Sequence, residues 1–217
     1  MNLKNISTLV FDLDGTLVDS SRDIRTALNM VMKDAGMPQL TLAQVKSLVG
    51  HGARSLIERT LKNNKKGRTL SMGDNFLKYY EDHLLDTTKP YRGIRELIAK
   101  VKDNYKMAVA TNKPYDMALE TVKGSKFENI FKVVAGPETT GAHKPDPGML
   151  HHIAKKLRVK PCEMLLIGDG VVDVQTAKNF GCPMCAVTWG FSTKKELKAE
   201  KPDFMIDRPS QLLKYLK

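Results

Sequence analysis

Asp12 and Asp14 stand one residue apart directly after the apolar run Ile6 to Phe11, with Gly15 and Thr16 behind them. Two carboxylates this close repel, so at neutral pH they either share a cation or one of them keeps its proton. Both states serve phosphoryl transfer, since an ionised acid is a nucleophile and a protonated one an acid catalyst. On the pair alone, a helix cap or a turn former explains the acids equally well. Two more carboxylates, Asp169 and Asp173, follow the apolar run Met164 to Ile167 in the stretch Gly168-Asp169-Gly170-Val171-Val172-Asp173. Thr111 and Asn112, ahead of Lys113 and Pro114, follow Met107 to Ala110, and the Thr111 hydroxyl can donate to a phosphoryl oxygen. Lys144 precedes a helix start at Asp146-Pro147. Four carboxylates at the ends of two such runs, with a lysine and a hydroxyl between them, make an oxygen-rich site for a hard cation facing an anion clamp.

The elements that must hold these residues can be read from periodicity. Ile6 to Phe11 is β-branched and aromatic without clear alternation, as in a strand covered on both faces of a parallel sheet. Some seventy residues of helix follow. Ile24, Leu28, Val31, Met32 and Ala35 form one apolar face, closed by Gly36 and Pro38. Thr41 and Gln44 form a capping box before Leu42, Val45, Leu48 and Val49, and Gly50-His51-Gly52 breaks that helix. Leu56, Ile57, Thr60 and Leu61 give a third face, Asn63 to Arg68 a loop, and Phe76, Leu77, Tyr80 and Leu84 a fourth.

From Pro90 the pattern alternates. Helices are expected around Ile94 to Val101, Pro114 to Val122, 146 to 157, 173 to 180 and Ser210 to Leu216. Strands are expected at Met107 to Ala110, Phe131 to Ala135, Met164 to Ile167, 184 to 188 and Phe204 to Ile206. Repeated helix and strand units on short loops mean an α/β fold, a Rossmann-like parallel sheet with helices on both faces. The expected division is a core of residues 1–16 and 89–217, interrupted by an all-helical cap at 17–88. Ligands of such sheets bind beyond the carboxyl ends of the strands, where the acids stand.

At 217 residues and 41% hydrophobic content, the chain is sized for one core with an inserted unit. Its apolar runs are too short for a membrane span, and with no secretory signal in the N-terminal residues a cytoplasmic protein is expected. Cys162, Cys182 and Cys185 complete no zinc site and are expected to be buried, reduced thiols. A redox role for Cys182 and Cys185 is disfavoured, because the pair straddles a helix end and the next strand. The net charge of +11 suits an anionic partner, but the lysine runs Lys62 to Arg68 and Lys194 to Lys201 lack the aromatics of a single-strand binding surface and read as solvated. Gly136 to Gly141 has phosphate-loop spacing with Ala142 where the lysine belongs, so nucleotide binding there is not expected.

Taken in order, Asp12-Leu13-Asp14-Gly15-Thr16, Thr111, Lys144 and Gly168-Asp169 to Asp173 resemble the four motifs of the haloacid dehalogenase superfamily of phosphohydrolases. The segment 17–88 resembles its helical cap. Thr111-Asn112-Lys113-Pro114 and the loop Val49 to Arg54 are most similar to the phosphoglycolate phosphatase-like branch. The resemblance implies a phosphatase that works through an aspartyl-phosphate. Asp12 would be nucleophile and Asp14 acid and then base; Thr111 and Lys144 would bind the phosphoryl oxygens, and Thr16 would orient Asp14. Mg²⁺ would be held by the Asp12 carboxylate, the Asp14 backbone carbonyl and Asp169, with Asp173 acting through water. Asn112, Gly50, His51, Gly52 and Arg54 are the expected substrate contacts, Arg54 pairing with a carboxylate such as that of 2-phosphoglycolate; a turn residue at His51 and a helix-start residue at Arg54 explain those two equally well. Gly170 departs from the branch, which usually has Ser there. Pyrophosphate, sugar phosphates, nucleoside monophosphates and a phosphomutase reaction are alternative chemistries on the same core. A basic nucleic-acid-binding protein on an inactive core is the rival from another class, disfavoured because the acids would repel phosphodiesters. The expected partner is a small anionic phosphate ester, with no nucleic acid or membrane, and the expected state a monomer or homodimer.

Overall fold

The computed structural model describes residue 3 and residues 5–61 and 70–216, the side chains of Arg54 and Leu70 excepted. The chain runs through β1 (Thr8–Phe11) and β2 (Val18–Asp19) into helices α1 (Ser21–Asp34), α2 (Leu42–Leu48), α3 (Ala53–Leu61) and α4 (Leu70–Asp82). It returns through β3 (Lys89–Pro90) to α5 (Ile94–Val101), β4 (Lys106–Ala110), α6 (Tyr115–Gly124), β5 (Val133–Ala135), α7 (Pro137–Thr140) and α8 (Gly148–Leu157). Then come β6 (Met164–Gly168), α9 (Val171–Phe180), β7 (Met184–Val187), α10 (Lys194–Ala199) and β8 (Phe204–Ile206). Short 3₁₀ turns occupy Pro161–Glu163 and Pro209–Lys214.

The six core strands are parallel in the order β5-β4-β1-β6-β7-β8, an α/β sheet with helices around it, as the alternation implied. Every residue of β1 is buried, and successive side chains enter opposite layers. Leu9 and Phe11 pack with α5 and α6, whereas Val10 packs with α8 and α9. This double coverage explains the missing alternation in the sequence of β1. Phe11 paired with Val109 on one side and Ile167 on the other brings the ends of β1, β4 and β6 level. The strand order reverses direction around β1, so the crevice at its carboxyl end is the switch point where ligands of such sheets bind.

Helices α1 to α4 build a separate core from Ile24, Leu28, Val45, Leu56, Phe76 and Tyr80, among others, and Met117 of α6 joins it from below. The Thr41 and Gln44 capping box is present, with Gln44 N–H donating to Thr41 Oγ1 at 3.3 Å and Thr41 N–H to Gln44 Oε1 at 2.9 Å.

Several expectations need correction. The segment 17–88 is not wholly helical, because Val18 and Asp19 of β2 pair antiparallel with Pro90 and Lys89 of β3. Two short connecting stretches thereby satisfy backbone groups that would otherwise lack partners. The strand expected at Phe131 to Ala135 begins at Val133, and Phe131 serves as a core aromatic, 6.2 Å from the Phe11 ring and 6.1 Å from Phe127. The last helix is a 3₁₀ turn, held at its start by Gln211, whose Oε1 accepts from Asp207 N–H at 2.7 Å and Arg208 N–H at 3.0 Å. Lys194 to Lys201 is solvated as read, with Lys194, Lys195 and Lys198 exposed on helix α10. Gly136 to Gly141 contains the turn of helix α7. Cys182 and Cys185 are free and buried as expected, but Cys162 is exposed. Burial pushes the Cys182 thiol up to about 12 and Cys185 higher still, the opposite of a redox-active thiolate. The loop expected at Asn63 to Arg68 lies outside the described residues.

Candidate active site

Asp12 emerges at the end of β1 with its backbone N–H bonded to Ile167 O at 2.9 Å and its Oδ1 accepting from Leu13 N–H at 2.7 Å. Lys144, delivered by the loop ahead of α8, reaches the same oxygen at 2.8 Å. Its ammonium also donates to Asp173 Oδ1 at 2.6 Å and Ala110 O at 3.0 Å, so all three N–H groups have partners. Burial alone would pull this lysine down, but Asp12 and Asp173 outweigh it and hold the ammonium above its ordinary range.

Asp169 and Asp173 come from the end of β6 and the first turn of α9. Ligand oxygens of Asp12, Asp169 and Asp173 lie within 4.8 Å of one another. Glycines make the space for them. A Cβ at Gly15 or at Gly190 would stand 2.2 Å from Asp169 Oδ2, and one at Gly168 would stand 2.4 Å from Asp173 Cγ. At Gly170 a Cβ would sit 3.0 Å from Asp173 Oδ2, the oxygen that accepts Gly170 N–H at 2.9 Å. The Ser usual in the branch would therefore shift this carboxylate slightly.

Electrostatics in the cluster favour a cation. Burial first, and then Asp173, push Asp12 well above the usual carboxylate range against the pull of Lys144. The same two causes push Asp169 up to about 7, although Phe191 N–H and the Thr16 hydroxyl oppose them. Three buried carboxylates around one lysine carry an excess of negative charge, and an all-oxygen set suits a hard divalent ion.

Asp14 lies outside this cluster and points its carboxylate to Lys113 Nζ, at 3.2 and 3.3 Å. Lys113 also donates to the hydroxyl of Tyr80, whose ring centre lies 4.3 Å from the ammonium. Thr16 corrects an expectation, because its hydroxyl donates to Asp169 Oδ1 at 2.7 Å and orients that acid, not Asp14. Asn112 lines the cavity, as expected of a substrate contact, and its amide is also engaged in the protein. Its Nδ2 donates to Gly50 O at 2.9 Å and Lys144 O at 3.1 Å, while Oδ1 accepts Lys144 N–H at 2.7 Å, so it ties the Gly50 loop to the lysine's backbone. Thr111 Oγ1 accepts Lys113 N–H at 3.2 Å and borders the cavity.

The cavity measures about 60 Å³, room for roughly four to six waters. Asp12, Asp14, Thr111, Lys113 and Lys144 form its floor, and Ile24, Val49, Leu56, Phe76 and Tyr80 form its cap side. Gly50 and Gly52 border it, both at positive φ, but His51 does not and instead faces a separate recess of about 100 Å³ with Lys46, Arg59 and Phe191. Arg54 sits in the first turn of α3, its side chain outside the description.

Lys113 and Tyr80 are the site residues that sequence reasoning passed over. Lys113 stood in the quoted Thr111 to Pro114 motif without a role. Tyr80 carried no signal, since on an amphipathic helix a site tyrosine looks like a core one.

Residues 9–187 match the family model of haloacid dehalogenase-like hydrolases, and the chain belongs to that family. It is 31% identical to a phosphoglycolate phosphatase of Photobacterium profundum, over 99% of this chain and 97% of the relative. A phosphoglycolate phosphatase of Aquifex aeolicus is 30% identical over 96% of this chain and 95% of its own. The crystal structure of a predicted phosphoglycolate phosphatase from Haemophilus somnus superposes with a TM-score of 0.89 at 24% identity, covering 99% of both chains. Within its family, the chain is a phosphatase, a hydrolase of small phosphoric monoesters. No helix among the described residues is long and apolar enough to cross a membrane.

Proposed function

We propose that the protein hydrolyses 2-phosphoglycolate or a close analogue through an aspartyl-phosphate, with Mg²⁺ held by Asp12, Asp169 and Asp173. The observation that carries this reading is the gathering of those three carboxylates around Lys144 at the sheet's switch point. Asp12 attacks phosphorus, a bond forms between its oxygen and phosphorus, and the bond to the ester oxygen breaks. Asp14, on the other side of the cavity floor, gives its proton to the departing alkoxide and later takes one from the water that displaces Asp12. Lys144 and the Thr111 hydroxyl offset the charge on the phosphoryl oxygens. Thr16 and Phe191 N–H hold Asp169 in place. Bound Mg²⁺ would supply further neutralisation of the phosphoryl group, and the hard, crowded donor set fits it.

The substrate assignment rests on the named relatives. Residues 17–88 act in this reading as a cap over a core of 1–16 and 89–217. Substrate exchange would require the cap to lift from the rim. Free thiols support a reducing, cytoplasmic setting. Purified protein assayed on a panel of phosphate esters should prefer 2-phosphoglycolate in kcat/KM, lose activity in EDTA and regain it with Mg²⁺. A preference for sugar phosphates, or full activity in EDTA, rejects the assignment.

A further inference from the structure

Tyr80 belongs to α4 of the cap helices, whereas Lys113 and Asp14 belong to the sheet rim. The three nonetheless form one connected group. Lys113 Nζ is bound by both oxygens of Asp14 and by the Tyr80 hydroxyl, with the centre of that phenol ring 4.3 Å away. Lys113 is 5% exposed and Tyr80 4%, so neither is a surface decoration. The contrast with Lys144 is informative, because its ammonium is held by Asp12, Asp173 and Ala110 O, and among the described residues its hydrogen bonds include none to α1 to α4.

We propose that Tyr80 and Lys113 are positioning residues for Asp14, so that the carboxylate which protonates the leaving group is aligned only while the cap helices lie on the rim. Lys113 is the direct holder of Asp14, and Tyr80 fixes Lys113 by accepting one of its N–H groups. If α4 moves away, Lys113 loses that hydroxyl, and Asp14 loses a fixed partner. Burial first, and then the neighbouring Asp14, keep the phenol neutral by raising it well above its ordinary range. The stacking of Tyr80 on Phe76, with centroids 5.6 Å apart, does not depend on the hydroxyl. Tyr80→Phe therefore removes the hydrogen bond while leaving the packing.

This inference rests on the proposed acid role of Asp14, and its test separates the two. Two small esters are compared: 2-phosphoglycolate, whose alkoxide needs a proton to depart, and acetyl phosphate, whose acetate departs as a stable anion. General acid catalysis is worth about 10²–10⁴-fold, so partial misalignment of the acid should cost a fraction of that. Tyr80→Phe should lower kcat/KM on 2-phosphoglycolate, which reports the first displacement, by about 10-fold, and Lys113→Met by about 100-fold. Both variants should lose far less kcat/KM on acetyl phosphate, whereas breakdown of the phosphoenzyme, in which Asp14 is the base, is common to the two esters. A thermal melt of each variant checks the fold, and Tyr80→Phe carries the test should Lys113→Met not fold. An equal loss of kcat/KM on the two esters, or no loss in Tyr80→Phe, overturns the proposal. Wild-type protein that turns over acetyl phosphate but shows no loss on 2-phosphoglycolate in Asp14→Asn overturns the acid role itself, and the proposal with it.

Discussion

Lys144 with Asp12 and Lys113 with Asp14 are two buried lysine and aspartate pairs on the floor of one cavity, yet they are built differently. The first is closed by the ends of β1 and β4, the Lys144 loop and α9, and its ammonium has no donor left over. The second takes part of its support from α4, which belongs to the separate helical core. In the proposed mechanism the nucleophile Asp12 must be in place before substrate arrives, whereas the acid Asp14 is needed only once the site is covered. The difference between the pairs suits that proposed order of events.

The comparison breaks most sharply at the carboxylates. Asp12→Asn should lower kcat by roughly 10⁴-fold or more and leave no acid-stable phosphoenzyme, as expected when a nucleophile is removed. Asp14→Asn should cost about 10²–10⁴-fold and let the phosphoenzyme accumulate, because its breakdown also lacks a base. Rapid quenching followed by phosphate analysis of the protein distinguishes the two; accumulation in Asp12→Asn would contradict the assignment of roles.

Stability sharpens it further. Lys144→Met strands two carboxylates, Asp12 and the fully buried Asp173, without their shared cation, which should cost about 3–5 kcal/mol in urea unfolding. Lys113→Met should cost less, because it strands Asp14 alone and leaves no fully buried carboxylate unpaired. Equal losses would show that the two pairs are not differently built after all.

The smallest effect concerns pH. The folded value of Asp169, about 7, lies above the unfolded value of about 3.9, so its contribution to stability is complete below the latter. That contribution is lost as pH rises through about 7, in the metal-free protein. A cation competes with the proton at this site, so the rise in Tm on adding Mg²⁺ should be larger at pH 8 than at pH 5. Thermal melts with Mg²⁺ and with EDTA at the two values check the order.

Much of this was legible in the chain. Apolar runs that stop at Asp12, Thr111 and Asp169 disclose both the strands and the rim, because buried parallel strands and site residues meet at the same chain positions. The capping box at Thr41 and Gln44 was equally plain, but Thr193 and Glu196 use the same device, and the lysines after Thr193 masked the short helix α10. Partners distant in sequence were the harder part. Thr16 meets Asp169 across 153 positions, and Asn112 meets Gly50 across 62; no periodicity encodes either. Asp23, read only as part of a helix, is buried and accepts hydrogen bonds from the N–H and hydroxyl groups of both Thr87 and Thr88.

That last carboxylate sits beside β2 and β3, where the chain leaves the sheet at Asp19 and comes back at Lys89, paired residue to residue. Departure and return thus lie at adjoining positions, about 5 Å apart as in any antiparallel pair. A lodger needs no more than two neighbouring doorposts, so the host sheet neither stretches nor twists to accommodate what is hung between them. Another lining for the same chamber can be exchanged at this threshold without disturbing the floor, and a single foundation can serve tenants of different tastes.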